Sequence, residues 1–327
     1  MISTKHLFYF FVLLLWTSTL FCQKSPLQIH SFNGQIINHT YYSLSYSEKH
    51  EQAEWVSYIL NPSFLNGSTK RTDDFRIDKK VLSQSANSGD YLYSGWNRGH
   101  LVPAADMVFS KQSMSESFYY SNISPQNPLF NRGGWKKLEA QVRDWGKSFE
   151  IIVVTGGVLT DNGFKSIGEN KVSIPKNFYK IVYAPEINEM IGFVMPNQKI
   201  YNDLLSYATT VDEIEGLTGI NFFIELSEEQ QNQLESTINL EKWVFNVSAS
   251  SENSKSSSNS TQCSAIAKST GNRCRNFTKD VSQLCYIHRE KEEEKPPNYL
   301  GRCLANTNNG KQCKRKAASG RMYCWQH

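Results

Sequence analysis

The cysteines of this 327-residue chain are distributed so unevenly that they divide it into two parts. Six of the seven lie after residue 262, and the seventh, Cys22, lies near the N-terminus. The long segment between them contains none, so its fold cannot depend on disulfide bonds and requires a hydrophobic core. With 39% hydrophobic and 20% charged residues, the chain has the composition of a globular protein that can form such a core.

The N-terminus has the pattern of an export signal. An apolar run over residues 7–21 follows Lys5 and ends at Gln23, and it is short for a helix that spans a bilayer. We therefore predict a signal peptide over residues 1–23 and a secreted or periplasmic protein. The alternatives are a retained membrane anchor and lipid attachment at Cys22, which the bulky phenylalanine before it disfavours.

The patterning of apolar residues predicts an α+β body over residues 30–245. An amphipathic helix is expected over residues 134–147, because apolar side chains recur there at spacings of three, four and three. Residues 95–103 are rich in glycine and proline and are expected to form a loop. Strands are expected where aromatic and β-branched residues cluster, at 41–46, 54–60, 151–155, 178–183 and 190–195, with further helical material at 204–205 and 211–217.

The cysteine-rich tail contains an internal repeat. Three cysteines and one histidine occur twice, spaced C-x10-C-x10-C-x2-H in residues 263–288 and C-x9-C-x10-C-x2-H in residues 303–327. Each set is a complete tetrahedral ligand set for Zn²⁺, and metal binding would supply the folding energy of such small units. Disulfide bonds are the alternative in an exported protein. The predicted zinc ligands are Cys263, Cys274, Cys285 and His288 in module 1, and Cys303, Cys313, Cys324 and His327 in module 2.

Charge and composition separate the tail from the body. A serine- and asparagine-rich linker over residues 248–262 precedes module 1, and a charged linker over residues 289–302 joins the modules. Residues 263–327 contain 13 Lys/Arg against 5 Asp/Glu, whereas the rest of the chain contains 22 against 26. A basic tail on a slightly acidic body favours binding of a polyanion by the tail, and a solvated lysine-rich surface is the alternative.

Among the seven histidines, His100 is distinguished by its neighbours. Arg98 lies two residues before it, where a guanidinium could bind phosphate, and Gly99 permits close approach of the backbone to a ligand. A neutral imidazole can activate water near neutral pH. The run therefore suggests phosphodiester chemistry, although a histidine beside an arginine in a loop is more often ordinary surface.

The run Asn97–Ala104 (NRGHLVPA) resembles the Asp-Arg-Gly-His signature of the DNA/RNA non-specific endonucleases, a family that includes the endonuclease G group. Several ordered blocks are more specific than one short motif. The resemblance covers roughly residues 42–223, and its further blocks are YSNISPQ at 120–126, NRGGWKKLE at 131–139, VTGG at 154–157 and IPKNFYK at 174–180.

The resemblance implies a ββα-metal fold with a central, mostly antiparallel sheet and flanking helices. It implies that His100 is the general base, that Arg98 binds phosphate, and that Asn131 is the direct protein ligand of Mg²⁺, or of Mn²⁺ in its place. Glu139 would hold a metal-bound water, and Asn122 would orient the metal site or the substrate.

At two positions the match to the family pattern is incomplete. Asn97 stands where the family usually has aspartate, which alters how the loop is braced. Some members use an upstream arginine for transition-state charge, for which Arg71 is the candidate and Arg76 the competitor. Read singly, Asn131 also fits a helix cap, Glu139 a solvated helix charge and Asn122 a turn residue.

The function predicted from the sequence is an exported, Mg²⁺-dependent, non-specific endonuclease of DNA and RNA, with tail modules that assist nucleic-acid binding. A glycosylation triplet at Asn122 overlaps the candidate site and favours a bacterial, unglycosylated protein. The alternative function is a non-catalytic extracellular protein that binds nucleic acid on a nuclease-like scaffold. The sequence leaves the oligomeric state open, a homodimer included.

Overall fold

The computed structural model describes residues 34–160, 163–245, 261–266, 273–274, 277–278, 282–285 and 288. The predicted signal peptide, the charged linker, module 2 and almost all of the serine-rich linker lie outside the described residues. The strands are β1 (Gln35–Asn38), β2 (Tyr42–Ser47), β3 (Gln52–Leu60), β4 (Asn97–His100), β5 (Ile123–Gln126), β6 (Ile151–Gly157), β7 (Ser166–Ile167), β8 (Val172–Ser173), β9 (Asn177–Ala184), β10 (Glu189–Pro196), β11 (Ala208–Thr209), β12 (Thr261–Gln262) and β13 (Phe277–Thr278).

The described helices are short, apart from one on the face of the sheet. They are α1 (Pro62–Leu65), α2 (Ser88–Tyr91), α3 (Lys111–Glu116), α4 (Lys136–Gly146), α5 (Val211–Thr218) and α6 (Glu228–Glu235), with a π-helical turn at Phe130–Trp135 and 3₁₀ turns at Ala104–Asp106, Tyr120–Asn122, Leu204–Tyr207 and Leu240–Lys242. Within the described residues, no helix has the length and hydropathy needed to cross a bilayer.

Seven strands form one antiparallel sheet in the order β1-β2-β3-β6-β9-β10-β11. Strands adjacent in sequence pair through short turns, and β6 inserts between β3 and β9, with Tyr58 opposite Val153 and Val153 opposite Val182. The expected α+β class is confirmed, and so are the five strands expected from aromatic and β-branched clusters. Their observed ends differ from the expected ends by only a few residues, as is usual at element boundaries.

Both faces of the sheet are buried, and β6 shows this most directly. Ile151 and Val153 belong to the apolar cluster on one face, whereas Ile152 and Val154 belong to the cluster on the other. Successive side chains of a strand point to opposite faces, so an uninterrupted apolar run is what a central strand with two covered faces requires. The run IIVV therefore places β6 at the centre of the domain.

The first face is covered by α4. The apolar stripe expected from the sequence is buried there, because Leu138, Val142 and Trp145 all belong to the same cluster as Val153. Trp135, in the π-helical turn before α4, packs 5.7 Å from the ring of Phe178 on β9. The second face is covered by α5 and α6, which contribute side chains to the opposite cluster.

A two-stranded ribbon lies beside the sheet and corrects one expectation. Residues 95–103 were expected to form a loop, but Asn97–His100 form strand β4, paired antiparallel with β5. Gly99 favours the prediction of a loop, because glycine is uncommon in the interior of a strand. A side chain there would collide with Gln126 on the facing strand, so glycine is required by the close packing within the ribbon. Ribbon, π-helical turn and α4 follow in the order ββα.

Replacement of Leu138 by alanine should destabilise the fold by about 2–5 kcal/mol, because a fully buried leucine anchors α4 to the sheet. Urea unfolding followed by circular dichroism measures this change. Lys137→Ala, at the exposed neighbouring position, is the matched control and should change the free energy of unfolding by less than about 0.5 kcal/mol. Equal effects of the two substitutions would contradict the packing of α4.

Candidate active site

His100 is the last residue of β4 and is buried, with 8% of its surface exposed. The edge of its ring meets Phe118 at 4.9 Å between centroids, and Phe75 lies 5.5 Å away. Its Nε2 atom is buried without a hydrogen-bond partner in the described structure. Burial, followed by the charges of Arg71 and Arg98, lowers the pKa of His100 to about 3. The imidazole is therefore neutral, which a general base must be.

A pocket of about 530 Å³ opens beside His100, and basic and aromatic side chains line it. Phe75 connects the two, because it lines the pocket and contacts the His100 ring. The Arg98 guanidinium lies over the Phe75 ring at 4.0 Å, which holds this exposed side chain at the pocket wall. The lining residues that bear on chemistry are Arg71, Phe75, Tyr93, Arg98, Asn131 and Arg132.

The structure separates the two arginines that the sequence left as competitors. Arg71 lines the pocket, and its Nε donates to Asp73 at 2.7 Å. Arg76 instead donates to Asp74 and to the Ser115 carbonyl oxygen, and it stacks on an aromatic ring outside the pocket lining. Of these two competitors, Arg71 is thus the one whose charge acts on His100.

Asn131 lies in the π-helical turn that precedes α4, and it lines the pocket with Arg98. The non-helical backbone at Gly133 marks the kink between this turn and the regular helix. Irregular turns of this kind often occur at functional sites. The Asn131 amide offers a hard oxygen donor at the pocket wall, and the carboxylate of Glu139 belongs to the same donor class. Both donors suit Mg²⁺, which prefers oxygen ligands and retains several waters, although Glu139 is not among the residues that line the pocket.

Glu139 belongs to a buried charge network between α4 and the sheet. Arg143, one turn further along α4, donates to Asp106 at 2.8 Å, and Asp106 also accepts from the Tyr58 hydroxyl at 2.7 Å. Burial raises the pKa of Glu139, and the nearby positive charge of Lys180 opposes that rise. Glu139 is therefore a partly buried carboxylate surrounded by charged side chains. It is not a solvent-exposed charge on the helix surface.

Asn122 braces the chain that leaves His100. Its side-chain oxygen accepts from the Val102 amide at 2.9 Å, and its side-chain nitrogen donates to the carbonyl oxygens of Val102 and Ser117. The side chain is fully buried, so these backbone contacts use its hydrogen-bonding capacity. Asn122 thus holds the loop that follows β4, and its role toward the metal site or the substrate stays a prediction.

Asn97 lies at the rim of the pocket, where its side-chain oxygen accepts a long 3.5 Å bond from Arg132. No role for Arg132 was predicted from the sequence, although this residue directly follows Asn131 in the run NRGGWKKLE at 131–139. Tyr93 is a second omission. Its side chain is 97% exposed at the pocket wall, and its backbone has a positive φ of 56°.

Lys180 is the least expected residue of this region. It is fully buried on β9, its Nζ lacks a hydrogen-bond partner in the described structure, and it lies 4.9 Å from the Trp135 ring. Burial lowers its pKa, while Glu139 and Asp106 act in the opposite direction. The available signal was a single charged residue inside the otherwise apolar run of residues 178–183.

The four predicted ligands of module 1 come together in the described part of the tail. One ligand atom from each of Cys263, Cys274, Cys285 and His288 lies within 4.8 Å of the others. The three thiols are buried and form no disulfide bond within the described residues, with 3.8 Å between the sulfur atoms of Cys274 and Cys285. The four ligands of module 2 lie outside the described residues.

Most of the chain is similar in sequence to known nucleases. The sequence profile of the family described as DNA/RNA non-specific endonuclease matches residues 23–229. The mitochondrial nuclease EXOG of Danio rerio is 35% identical over 215 residues, which is 60% of this chain and 63% of that protein. Human mitochondrial endonuclease G is 32% identical over 206 residues, 58% of this chain and 69% of that protein. The chain thus spans less than two thirds of the EXOG relative.

A solved structure agrees with the sequence matches. The crystal structure titled as the EndoG/EndoGI complex superposes with a TM-score of 0.57 and 27% sequence identity, covering 62% of this chain and 90% of that chain. The fold over about that share of the chain therefore has a known counterpart. This chain belongs to the DNA/RNA non-specific endonuclease family.

Proposed function

We propose that this protein is an exported, Mg²⁺-dependent endonuclease that hydrolyses DNA and RNA with little sequence preference. The observation that carries the proposal is a buried, neutral His100, with an unpartnered Nε2, beside a pocket lined by three arginines and Asn131. Export rests on the N-terminal sequence alone. It predicts that the mature protein begins close to Gln23.

His100 acts as the general base that removes a proton from the attacking water. The imidazole is neutral, and no protein group among the described residues competes for its Nε2 atom. The phosphate is held by the guanidinium groups of Arg71, Arg98 and Arg132, which lie around one pocket. Bound Mg²⁺, held by Asn131 and through a water by Glu139, would neutralise the phosphate and stabilise the leaving oxygen.

Recognition without sequence preference follows from the kind of groups in the pocket. Arginines bind the phosphate backbone, which all nucleic acids share. The exposed ring of Tyr93 and the partly buried ring of Trp96 offer stacking surfaces to any base. None of these groups reads the hydrogen-bonding edge of a particular base.

The tail modules assist by binding nucleic acid and so retaining the substrate on the protein. In module 1 the gathered thiols and His288 form a ligand set for Zn²⁺. In module 2, the cationic run KRK at residues 314–316 and the aromatic Tyr323 and Trp325 suit phosphates and bases. Tethering such a module to the body raises the local substrate concentration at the pocket.

His100→Ala should lower kcat/KM for plasmid DNA and for RNA by at least about 100-fold, because it removes the general base. The assay compares degradation of both substrates with Mg²⁺ and with EDTA. EDTA should abolish the activity of the wild type. Protonation of His100 should not limit kcat/KM between pH 7 and about 5, because its pKa is lowered to about 3; a fall in activity over this range is instead expected from Glu139, whose pKa burial raises to about 7.

Circular dichroism and Mg²⁺-free DNA binding of His100→Ala serve as controls, and both should match the wild type. Full activity of this variant, or the absence of metal-dependent degradation by the wild type, would refute the enzymatic proposal. Binding without any degradation would favour the non-catalytic alternative.

Arg71→Ala should lower kcat/KM by roughly 100-fold, because it removes a positive charge from the phosphate pocket. Arg76→Ala is the matched control, since Arg76 lies outside the pocket lining, and its kcat/KM should stay roughly unchanged. Initial rates measured below the unfolding temperature of both variants decide the comparison. The reverse ranking would transfer the role to Arg76.

The reduced protein should contain two zinc ions per chain by atomic emission, one for each predicted ligand set. Cys274→Ser should lose one of them and raise KM at low salt, where the tail contributes most to binding. Ser264→Ala, an exposed residue beside a ligand, is the control and should retain both ions. Absence of zinc together with loss of free thiols would establish the disulfide alternative.

A further inference from the structure

Three carboxylates converge between α5 and α6, away from the catalytic pocket. One oxygen from each of Asp212, Glu215 and Glu235 lies within 4.8 Å of the other two. Asp212 and Glu215 lie on α5, and Glu235 is the last residue of α6. The helices pack on the sheet through Ile214 and Leu234, which belong to the cluster on the face opposite α4.

Glu235 distinguishes this cluster from an ordinary group of surface carboxylates, because its side chain is buried. Only 4% of its surface is exposed, and its Oε1 atom is buried without a hydrogen-bond partner in the described structure. Glu215 uses one oxygen to accept from the Phe222 amide at 2.7 Å. A buried carboxylate oxygen without a donor is costly, so a ligand that supplies positive charge would be strongly favoured.

Glu215 and Glu235 have no positively charged side-chain partner among the residues that the structure describes. The last turn of α6 contains no basic residue, and the negative end of a helix disfavours a carboxylate there. Burial, together with the neighbouring carboxylates, raises the pKa of Glu215 to about 7 and that of Glu235 to about 8.

We propose that Asp212, Glu215 and Glu235 form a binding site for a hard divalent cation, Ca²⁺, which joins α5 to α6. Three carboxylates from two helices give only oxygen ligands, and Ca²⁺ accepts six to eight such ligands in flexible geometry, with water completing the shell. The bound ion replaces mutual repulsion by attraction to one centre. This site is structural and lies on the other side of the sheet from Asn131.

The site is tested by Ca²⁺ binding and thermal unfolding of the full chain, without nucleic acid. Asn131→Ala is the background, so that the catalytic pocket does not contribute. The protein is passed over chelating resin and then given two equivalents of Zn²⁺ per chain, so that both predicted zinc modules are held constant. Calorimetric titration with CaCl₂ should show one ion per chain. At a free Ca²⁺ concentration of roughly 100 times the Kd, the Tm should rise by about 5 °C.

Glu235→Gln in the same background should abolish Ca²⁺ binding and the rise in Tm. Since the substitution also removes repulsion, the metal-free variant should melt at a higher temperature than its parent at pH 8, which misfolding could not produce. Asp212→Asn should likewise weaken Ca²⁺ binding. Glu229→Gln, at an exposed position of α6, is the matched control and should bind Ca²⁺ as its parent does.

Two outcomes would overturn the proposal. One is the absence of any heat of Ca²⁺ binding in the parent, which would mean that protonation alone stabilises the three carboxylates. The other is a Ca²⁺-dependent rise in Tm that persists in Glu235→Gln. Neither outcome bears on the nuclease assay, because that assay depends on His100 and Arg71 on the opposite side of the sheet.

Discussion

Burial of the central sheet on both faces is the constraint on which the rest of the structure depends. It requires β6 and β9 to be apolar along their length, and the charge of Lys180 on β9 is therefore costly. The cost is offset by Glu139 and Asp106, whose negative charges favour the ammonium form. Replacing one member of such a network leaves another charge buried and unpaired, so the network fixes α4 against the sheet in one position.

This position determines where the catalytic groups lie. Leu138 and Trp145 anchor α4 to the sheet, while Glu139 and Arg143 on the same helix complete the charge network. The π-helical turn that carries Asn131 precedes α4 directly, so the register of the helix also sets the position of this proposed metal ligand. Core packing thus fixes the position of α4 relative to the β4–β5 ribbon, which a short sequence motif cannot specify.

Much of this arrangement could be predicted from the sequence, because two-sided burial leaves strong patterns. The apolar run of β6 and the helical stripe around Leu138 follow directly from periodicity. The ribbon strand ending in His100 could not be predicted, since its pairing with β5 joins segments more than twenty residues apart and depends on Gly99 fitting beneath Gln126. Long-range contacts of this kind, like the ion pair of Arg143 with Asp106, leave no local signal.

The low pKa of His100 must be reconciled with its proposed role, because a general base is most effective when its pKa lies near the working pH. Burial is the largest cause of the depression, and the charges of Arg71 and Arg98 add to it. A phosphodiester bound by these two arginines would place negative charge beside them and cancel part of their effect on the imidazole. The same arginines that keep the free base neutral would therefore let it become a stronger base once the substrate is bound. Substrate binding and proton affinity are coupled at this site, so the contribution of each arginine to catalysis exceeds its contribution to binding alone.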